Sequence, residues 1–251
     1  MDYSCIFNQR AQSYINASVN WPTVRKHEFV AYLDVLNLKP GERFLDVPCG
    51  TGIIAALIDD RVNYSGLDPS GPFVAHCQAQ GIPVVKASMR TTGLPDASFD
   101  VIGSLTGIHH EAQRAEIYSE WYRLLRPGGR LLLMDVWKGS SSDAFLNGFV
   151  HAWSSHGHSG DFVQDADLHA LRDEGFVDLA VRQIDYHWCA PSEVAMHDFM
   201  QDLFGLDRQP GLSLMLQAWR QLGWQQAVEA CRIPWTLAAV SALKPGGQLY
   251  D

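Results

Sequence analysis

The sequence predicts an α/β fold with a mostly parallel sheet, and two observations carry that expectation. From about residue 40 to 137, short apolar runs bounded by Gly and Pro alternate with longer stretches of helical periodicity. Strand–helix–strand units of this kind cross over right-handed and cover a parallel sheet on both faces. At 251 residues the chain is also long enough to bury the core such a sheet requires.

Residues 23–37 carry apolar side chains at helical spacing, with Pro22 suited to a first helical position. LKPG is a turn, and ERFLDV is a first strand. TGIIAALIDD reads as a helix opening from a glycine turn. VNYSGLD is a second strand and PSGPFVAHCQAQG a helix closed by Gly81. IPVVKAS and SFDVIGSLTG are the third and fourth strands, EAQRAEIYSEWYRLL is an amphipathic helix, and RPGG turns the chain into a fifth strand, RLLLMDVW. The pattern is a Rossmann-like α/β core. Beyond it, 138–161 reads as a partly helical excursion, LHALRDEGF as a helix and VDLAVRQIDYHW as a strand. Residues 192–227 read as two helices split near Pro210, and PWTLAAVSAL as the last strand. No tandem repeat of solenoid period is present.

Composition narrows the partners. Nineteen Lys and Arg against 28 Asp and Glu give a net charge of −9, which argues against nucleic-acid binding and suits small or cationic ligands. No apolar run approaches the roughly 18 residues that span a bilayer, and the N-terminus lacks the pattern of a signal peptide, so no membrane association is expected. Five scattered cysteines without a CxxC fit neither a disulfide framework nor a zinc ribbon. A reducing, cytoplasmic setting is expected.

The most informative stretch is FLDVPCGTG. Glycines between a strand and a helix let a ligand approach backbone N–H groups. Gly50-x-Gly52-x-x-Ala55 satisfies the dinucleotide spacing, so an NAD(P)-dependent oxidoreductase is one reading. Asp46 opposes it, because a pyrophosphate there would meet an uncompensated carboxylate. A ligand bearing an ammonium and a sulfonium would be welcomed. Asp68, ending the second strand in GLDPS, is placed to accept from vicinal ribose hydroxyls, or serves merely as a helix N-cap.

FLDVPCGTG, GLDPS, LPDASFDVI and LRPGGRLLLMDV, in that order, resemble the motifs of class I S-adenosylmethionine-dependent methyltransferases. The resemblance is nearest to the small-molecule group that includes ubiquinone- and menaquinone-biosynthesis enzymes. It implies a seven-stranded, mostly parallel sheet with the last strand antiparallel, in one domain over 1–251. Residues 1–38 would form an N-terminal helical cap, 40–137 the cofactor-binding core, and 138–161 and 190–230 helical lid insertions. The cofactor would be S-adenosyl-L-methionine, leaving as S-adenosyl-L-homocysteine. Asp46, Gly50 and Gly52 would hold the methionine moiety, Asp68 the ribose, and Pro69 with Ser70 would flank the adenine. Ser88 and Met89 would face the adenine, with Ser88 where the family usually has an Asp, and Thr106 would meet the methionine part. Pro48 stands where the family often has the first glycine of its turn.

Methyl transfer is an in-line displacement, so the protein must align the acceptor, exclude water and, for some acceptors, remove a proton. His109 and His110 follow the fourth strand at the sheet's ligand-binding edge, and His110 is the leading candidate base. In HAWSSHGHSGD, His151, His156, His158 and Asp161 invite a metal reading, but the stretch lacks a third-ligand spacing and reads equally as a substrate lid. No metal is therefore expected. Tyr14, Trp153, Trp188, His197 and Phe199 are candidate acceptor-lining residues, with Arg10 within reach of the site. The expected reaction is methyl transfer to a small, partly apolar or aromatic metabolite. A methyltransferase-fold protein that binds the cofactor without transferring methyl is the remaining alternative, and homo-oligomerisation is left open.

Overall fold

The computed structural model describes residues 3–226 and 230–246. The first two residues of the expected cap and residues 227–229 of the 190–230 segment lie outside these. In chain order the helices are α1 Tyr3–Asn20, α2 Lys26–Leu36, α3 Gly71–Ala79, α4 Arg114–Leu124, α5 Ser141–Ala144, α6 His151–Trp153, α7 Asp165–Glu174, α8 Glu193–Phe204 and α9 Leu212–Gln221. The strands are β1 Arg43–Asp46, β2 Asn63–Asp68, β3 Val84–Lys86, β4 Phe99–Leu105, β5 Leu125–Asp135, β6 Val177–Ala190 and β7 Cys231–Leu243.

They form one seven-stranded sheet in the order β3-β2-β1-β4-β5-β7-β6. β7 runs antiparallel to both its neighbours, β5 and β6, while β1 to β5 pair in parallel. The expected sheet, with its antiparallel last strand, is the one observed. Strand order reverses between β1 and β4, and the crevice at such a reversal is where open α/β sheets take ligands. Three strands deliver carboxylates to that edge: β1 ends on Asp46, β2 on Asp68 and β5 on Asp135, all buried.

One apolar cluster on one side of the sheet joins Tyr32, Phe44, Phe145, Trp188, Phe199, Trp219 and Trp235; another joins Phe7, Leu45, Phe73, Tyr118, Trp121 and Leu171. α1 packs against α3 and α8, so it crosses the carboxyl edge of the sheet.

Three local expectations are corrected. TGIIAALIDD makes only a single 3-10 turn, Ile53–Ala56, in place of a helix. Two β-branched residues open it, and Asp59 and Asp60 would meet the negative end of a longer helix. Pro22 lies in a turn before α2 rather than at its first position. The RPGG segment lies within β5, as an irregularity between the Phe99–Leu125 and Val101–Arg130 pairings.

Candidate functional site

The turn after β1 is built for close backbone approach. Gly50 and Gly52 adopt φ of 54° and 72°, in the left-handed region. A Cβ on Gly52 would stand 2.8 Å from Ile82 Cδ1, whereas one on Gly50 would meet nothing within 4 Å. Beside the turn opens a cavity of about 490 Å3, lined by Asp46, Gly50, Thr51, Leu105, Thr106 and the α1 residues Tyr3, Phe7 and Tyr14. Asp46 accepts from the Tyr64 hydroxyl at 3.0 Å. Burial pushes its carboxyl up to about 7, against the Tyr64 hydrogen bond and helped by the nearby Asp68.

Asp68 is fully buried and accepts three hydrogen bonds, from Gly50 N and Ser70 N at 2.8 Å and from the Tyr3 hydroxyl at 3.0 Å. Burial raises it to about 7 despite these donors. The two backbone donors fix the carboxylate, while the phenol arrives from α1. The expected cofactor residues thus divide. Asp46, Gly50 and Thr106 border the cavity, with Asp68 tied to Gly50, while Gly52 only shapes the turn. Pro69 is half-buried, Ser88 is exposed and accepts from Arg90 N at 3.2 Å, and Met89 packs in the apolar cluster with Phe7 and Phe73. None of these last three lines either cavity.

A second cavity of about 550 Å3 adjoins the first and shares Phe7, Tyr14, Arg25 and Thr106 with it. Thr106 joins the two at φ 48°, a strained conformation for a β-branched residue. Trp188 lies almost flat on Trp235, ring centroids 4.2 Å apart and planes 12° apart, and Leu146, Leu203 and Phe204 complete the apolar wall. Beneath this wall, the buried Glu28 carboxylate pairs with Arg25 and accepts from the Trp188 indole at 2.7 Å. Arg25 also donates to the Tyr14 hydroxyl and to Thr106 Oγ1. One buried ion pair thereby fixes an aromatic ring in each of two elements, Tyr14 in α1 and Trp188 in β6.

The opposite wall holds His109, His110 and His158, all buried. His109 Nδ1 lies 2.8 Å from Asp135 Oδ1, and a carboxylate can only accept, so Nδ1 carries a proton and, in the neutral ring, Nε2 is the nitrogen with the lone pair. Asn147 spends its amide N–H groups on Asp143 and Gly160 O, so its oxygen accepts from His158 Nδ1 at 3.0 Å. Burial, then the neighbouring His109, push His158 down to about 2. Burial, followed by His109 and His158, also lowers His110 well below the ordinary imidazole range.

Of the candidate acceptor residues, Tyr14 and Trp188 line this cavity. Phe199 packs edge-on to Trp188 and borders a smaller neighbouring cavity. Trp153 packs against Phe149, and His197 Nε2 is held by Pro210 O at 2.8 Å; neither lines the site. Arg10 does line it. Sequence reasoning missed Arg25, Glu28, Asp135 and Trp235. Asp135 had a signal, since it closes its strand as Asp46 and Asp68 close theirs. The tie between His158 and the His109–His110 pair is purely tertiary.

Sheet order, antiparallel seventh strand, glycine turn and the acids ending β1 and β2 are together the features that make this fold similar to the methyltransferase fold of the solved structures below. Residues 45–133 match the family model described as a methyltransferase domain. Over 149 residues the chain is 32% identical to the demethylmenaquinone methyltransferase of Beutenbergia cavernae, an alignment covering 54% of this chain and 62% of the relative. The chain thus spans less than two thirds of that relative's length. Among solved structures, a phosphoethanolamine N-methyltransferase 2 of Haemonchus contortus, in complex with S-adenosyl-L-methionine, superposes with a TM-score of 0.65 at 16% identity, over 98% of this chain and 60% of that one. A methyltransferase-like protein of Bacillus halodurans superposes with a TM-score of 0.63 at 19% identity, over 87% and 99%.

Proposed function

We propose that the chain transfers the methyl group of S-adenosylmethionine to a small, partly apolar or aromatic metabolite. The observation that carries this reading is the pair of adjoining cavities. One ends on Asp46, suited to the cofactor's ammonium. The other is walled by stacked Trp188 and Trp235 facing histidines. They meet at Thr106, where the methyl group would pass. In this reading the adenine is flanked by Pro69, Ser70, Ser88 and Met89, and α1 with the 138–161 and 190–230 segments roofs the acceptor. His109 replaces His110 as the group placed to take an acceptor proton, because Asp135 engages its Nδ1 and leaves Nε2 for the acceptor. The net charge of −9 favours a small acceptor over nucleic acid, and a cytoplasmic setting accompanies this assignment.

Calorimetric titration with S-adenosylmethionine, S-adenosylhomocysteine and NADH tests the cofactor, and a labelled methyl donor then screens acceptors. Micromolar adenosyl binding with label transfer is expected. Binding of NADH alone would overturn the reading, and adenosyl binding with no transfer to any acceptor would make the chain a cofactor-binding module.

The raised carboxylates give this binding a pH dependence. Asp46 faces Tyr64, Tyr32, Cys49 and Asp68, none of them cationic, so nothing but a ligand compensates its charge. Below about pH 7 it takes up a proton, and the ligand ammonium then meets a neutral acid. Affinity for S-adenosylmethionine is expected to fall on acidification, by up to about tenfold per pH unit below 7 for each carboxylate that must ionise. Titrations across that range check it, with Asp46→Asn flattening the profile. On the acceptor side, Trp188→Ala is expected to raise the acceptor KM at least about tenfold while cofactor affinity stays within about twofold. Trp188→Phe is expected to recover most of the loss.

A further inference from the structure

The histidine wall has more order than a proton acceptor requires. His109, His110 and His158 each offer one ring nitrogen, and these three nitrogens lie within 4.8 Å of one another. Asp135 and Asn147 engage the Nδ1 atoms of His109 and His158, leaving two Nε2 lone pairs. Neither ring nitrogen of His110 has a hydrogen-bond partner among the described residues. A neutral His110 supplies one N–H at most, so hydrogen bonding among the rings cannot satisfy both lone pairs. Behind the rings, Asp135 also accepts from Val136 N at 2.7 Å, and Asn147 is tied to Asp143 and Gly160. A carboxylate or amide fixing the far nitrogen of each imidazole is the outer-shell arrangement of histidine metal centres.

We infer that His109, His110 and His158 form a binding site for one divalent first-row transition-metal ion, Zn2+ being the best match, with an open position facing the acceptor cavity. Three imidazoles without a carboxylate disfavour Mg2+ and Ca2+, which take oxygen ligands. Zn–N bonds of about 2.1 Å bring tetrahedral ligand atoms to about 3.4 Å apart, so the rings close in on the ion by side-chain rotation. Three protein ligands leave the fourth position to water or substrate. The ion's role rests on the methyltransferase reading. An acceptor O–H or S–H group takes the fourth position, becomes more acidic there and loses its proton to water, so that in the ion-bound protein His109 Nε2 serves as a ligand in place of the proton acceptor named above. Its lone pair then forms the new bond to the methyl carbon as the carbon–sulfonium bond breaks, the electron pair remaining on sulfur. The favoured acceptors therefore carry an ionisable hydroxyl or thiol beside an apolar body.

The test uses the full chain, stripped with a chelator and titrated with Zn2+ against a chromophoric competitor and with Co2+ by visible absorption. One ion per chain is expected, with the Co2+ spectrum of a nitrogen-ligated centre and no thiolate charge-transfer band. His109→Ala and His158→Ala should each weaken binding at least about 100-fold, and Asn147→Ala about tenfold, by loosening His158. His156→Ala, at an exposed position, should bind as wild type. Circular dichroism and a parallel S-adenosylmethionine titration report the fold of each variant, and the wild-type Co2+ spectrum stands if a variant unfolds. Absence of stoichiometric binding, a thiolate band, or retention of the ion in both folded histidine variants would overturn the site. Ion loss with cofactor binding intact refutes the metal site alone. Ion binding without cofactor binding refutes the methyltransferase reading alone.

Discussion

Asp68→Ala is expected to lower affinity for S-adenosylmethionine and S-adenosylhomocysteine more than 100-fold. The side chain is held by Gly50 N and Ser70 N, and in the proposed reading its remaining acceptor capacity serves the ribose diol. Two hydrogen bonds to a charged acceptor contribute about 1.5–3 kcal/mol each, and about 3 kcal/mol is already more than a hundredfold. Tyr3 supplies the internal control, because its phenol sits on the same carboxylate at 3.0 Å and must leave for a ribose to enter. Tyr3→Phe is expected to tighten cofactor binding several-fold, in the opposite direction from Asp68→Ala. Calorimetry on both variants, with thermal melts to report folding, reads the pair. Asp68→Ala binding within about threefold of wild type would remove Asp68 from the cofactor site.

The second large effect is expected at Glu28. Its carboxylate is fully buried, and its partner Arg25 is 10% exposed. Glu28→Gln leaves a guanidinium in an aromatic pocket formed by Tyr14, Phe29 and Trp188, without its counter-charge. An unpaired buried charge costs about 3–5 kcal/mol, out of a typical stability of roughly 5–15 kcal/mol. For a chain of this size that lowers the melting midpoint by roughly 10 °C. Replacing both partners, Arg25→Met with Glu28→Leu, should recover most of the stability, because apolar packing substitutes for a buried pair. The acceptor wall should stay impaired, since Trp188 would still lack the acceptor for its indole N–H. A melt of Glu28→Gln within about 2 °C of wild type would show that the ion pair adds little.

Strand ends were the most legible part of the chain. β1 and β2 stop at an Asp and β4 two residues before Gly107, and such signals are local, so Asp46, Asp68 and Thr106 are legible at or just after the strand ends. Two kinds of feature escaped. One is local competition: Ile53, Ile54 and the acids at 59 and 60 cut a glycine-started helix to a single turn, although the spacing of apolar residues suits a helix. The other is pairing across the fold. Nothing in HAWSSHGHSGD points to His109, and nothing in TVRKHEFV says that Arg25 and Glu28 will be buried beneath Trp188. Trp153 and His197 are candidates through the lid segments that the family resemblance implies, yet at helical spacing a residue one or two positions along faces another side.

β6 and β7 form one long antiparallel hairpin, paired from Val177–Leu243 to Ala190–Cys231, and the chain between them carries α8 and α9. Trp188, Leu203, Phe204 and Trp235 all belong to this single contiguous stretch, whereas Asp46, Gly50, Asp68 and Thr106 lie within the segment that matches the family model, 45–133. The glycine turn and its acids on one side, and the tryptophan wall on the other, therefore come from separate stretches of the chain. Grafting the stretch after Asp135 from another chain of this architecture is expected to rebuild the Trp188–Trp235 wall while residues 45–133, with Asp46, Gly50, Asp68 and Thr106, stay as they are.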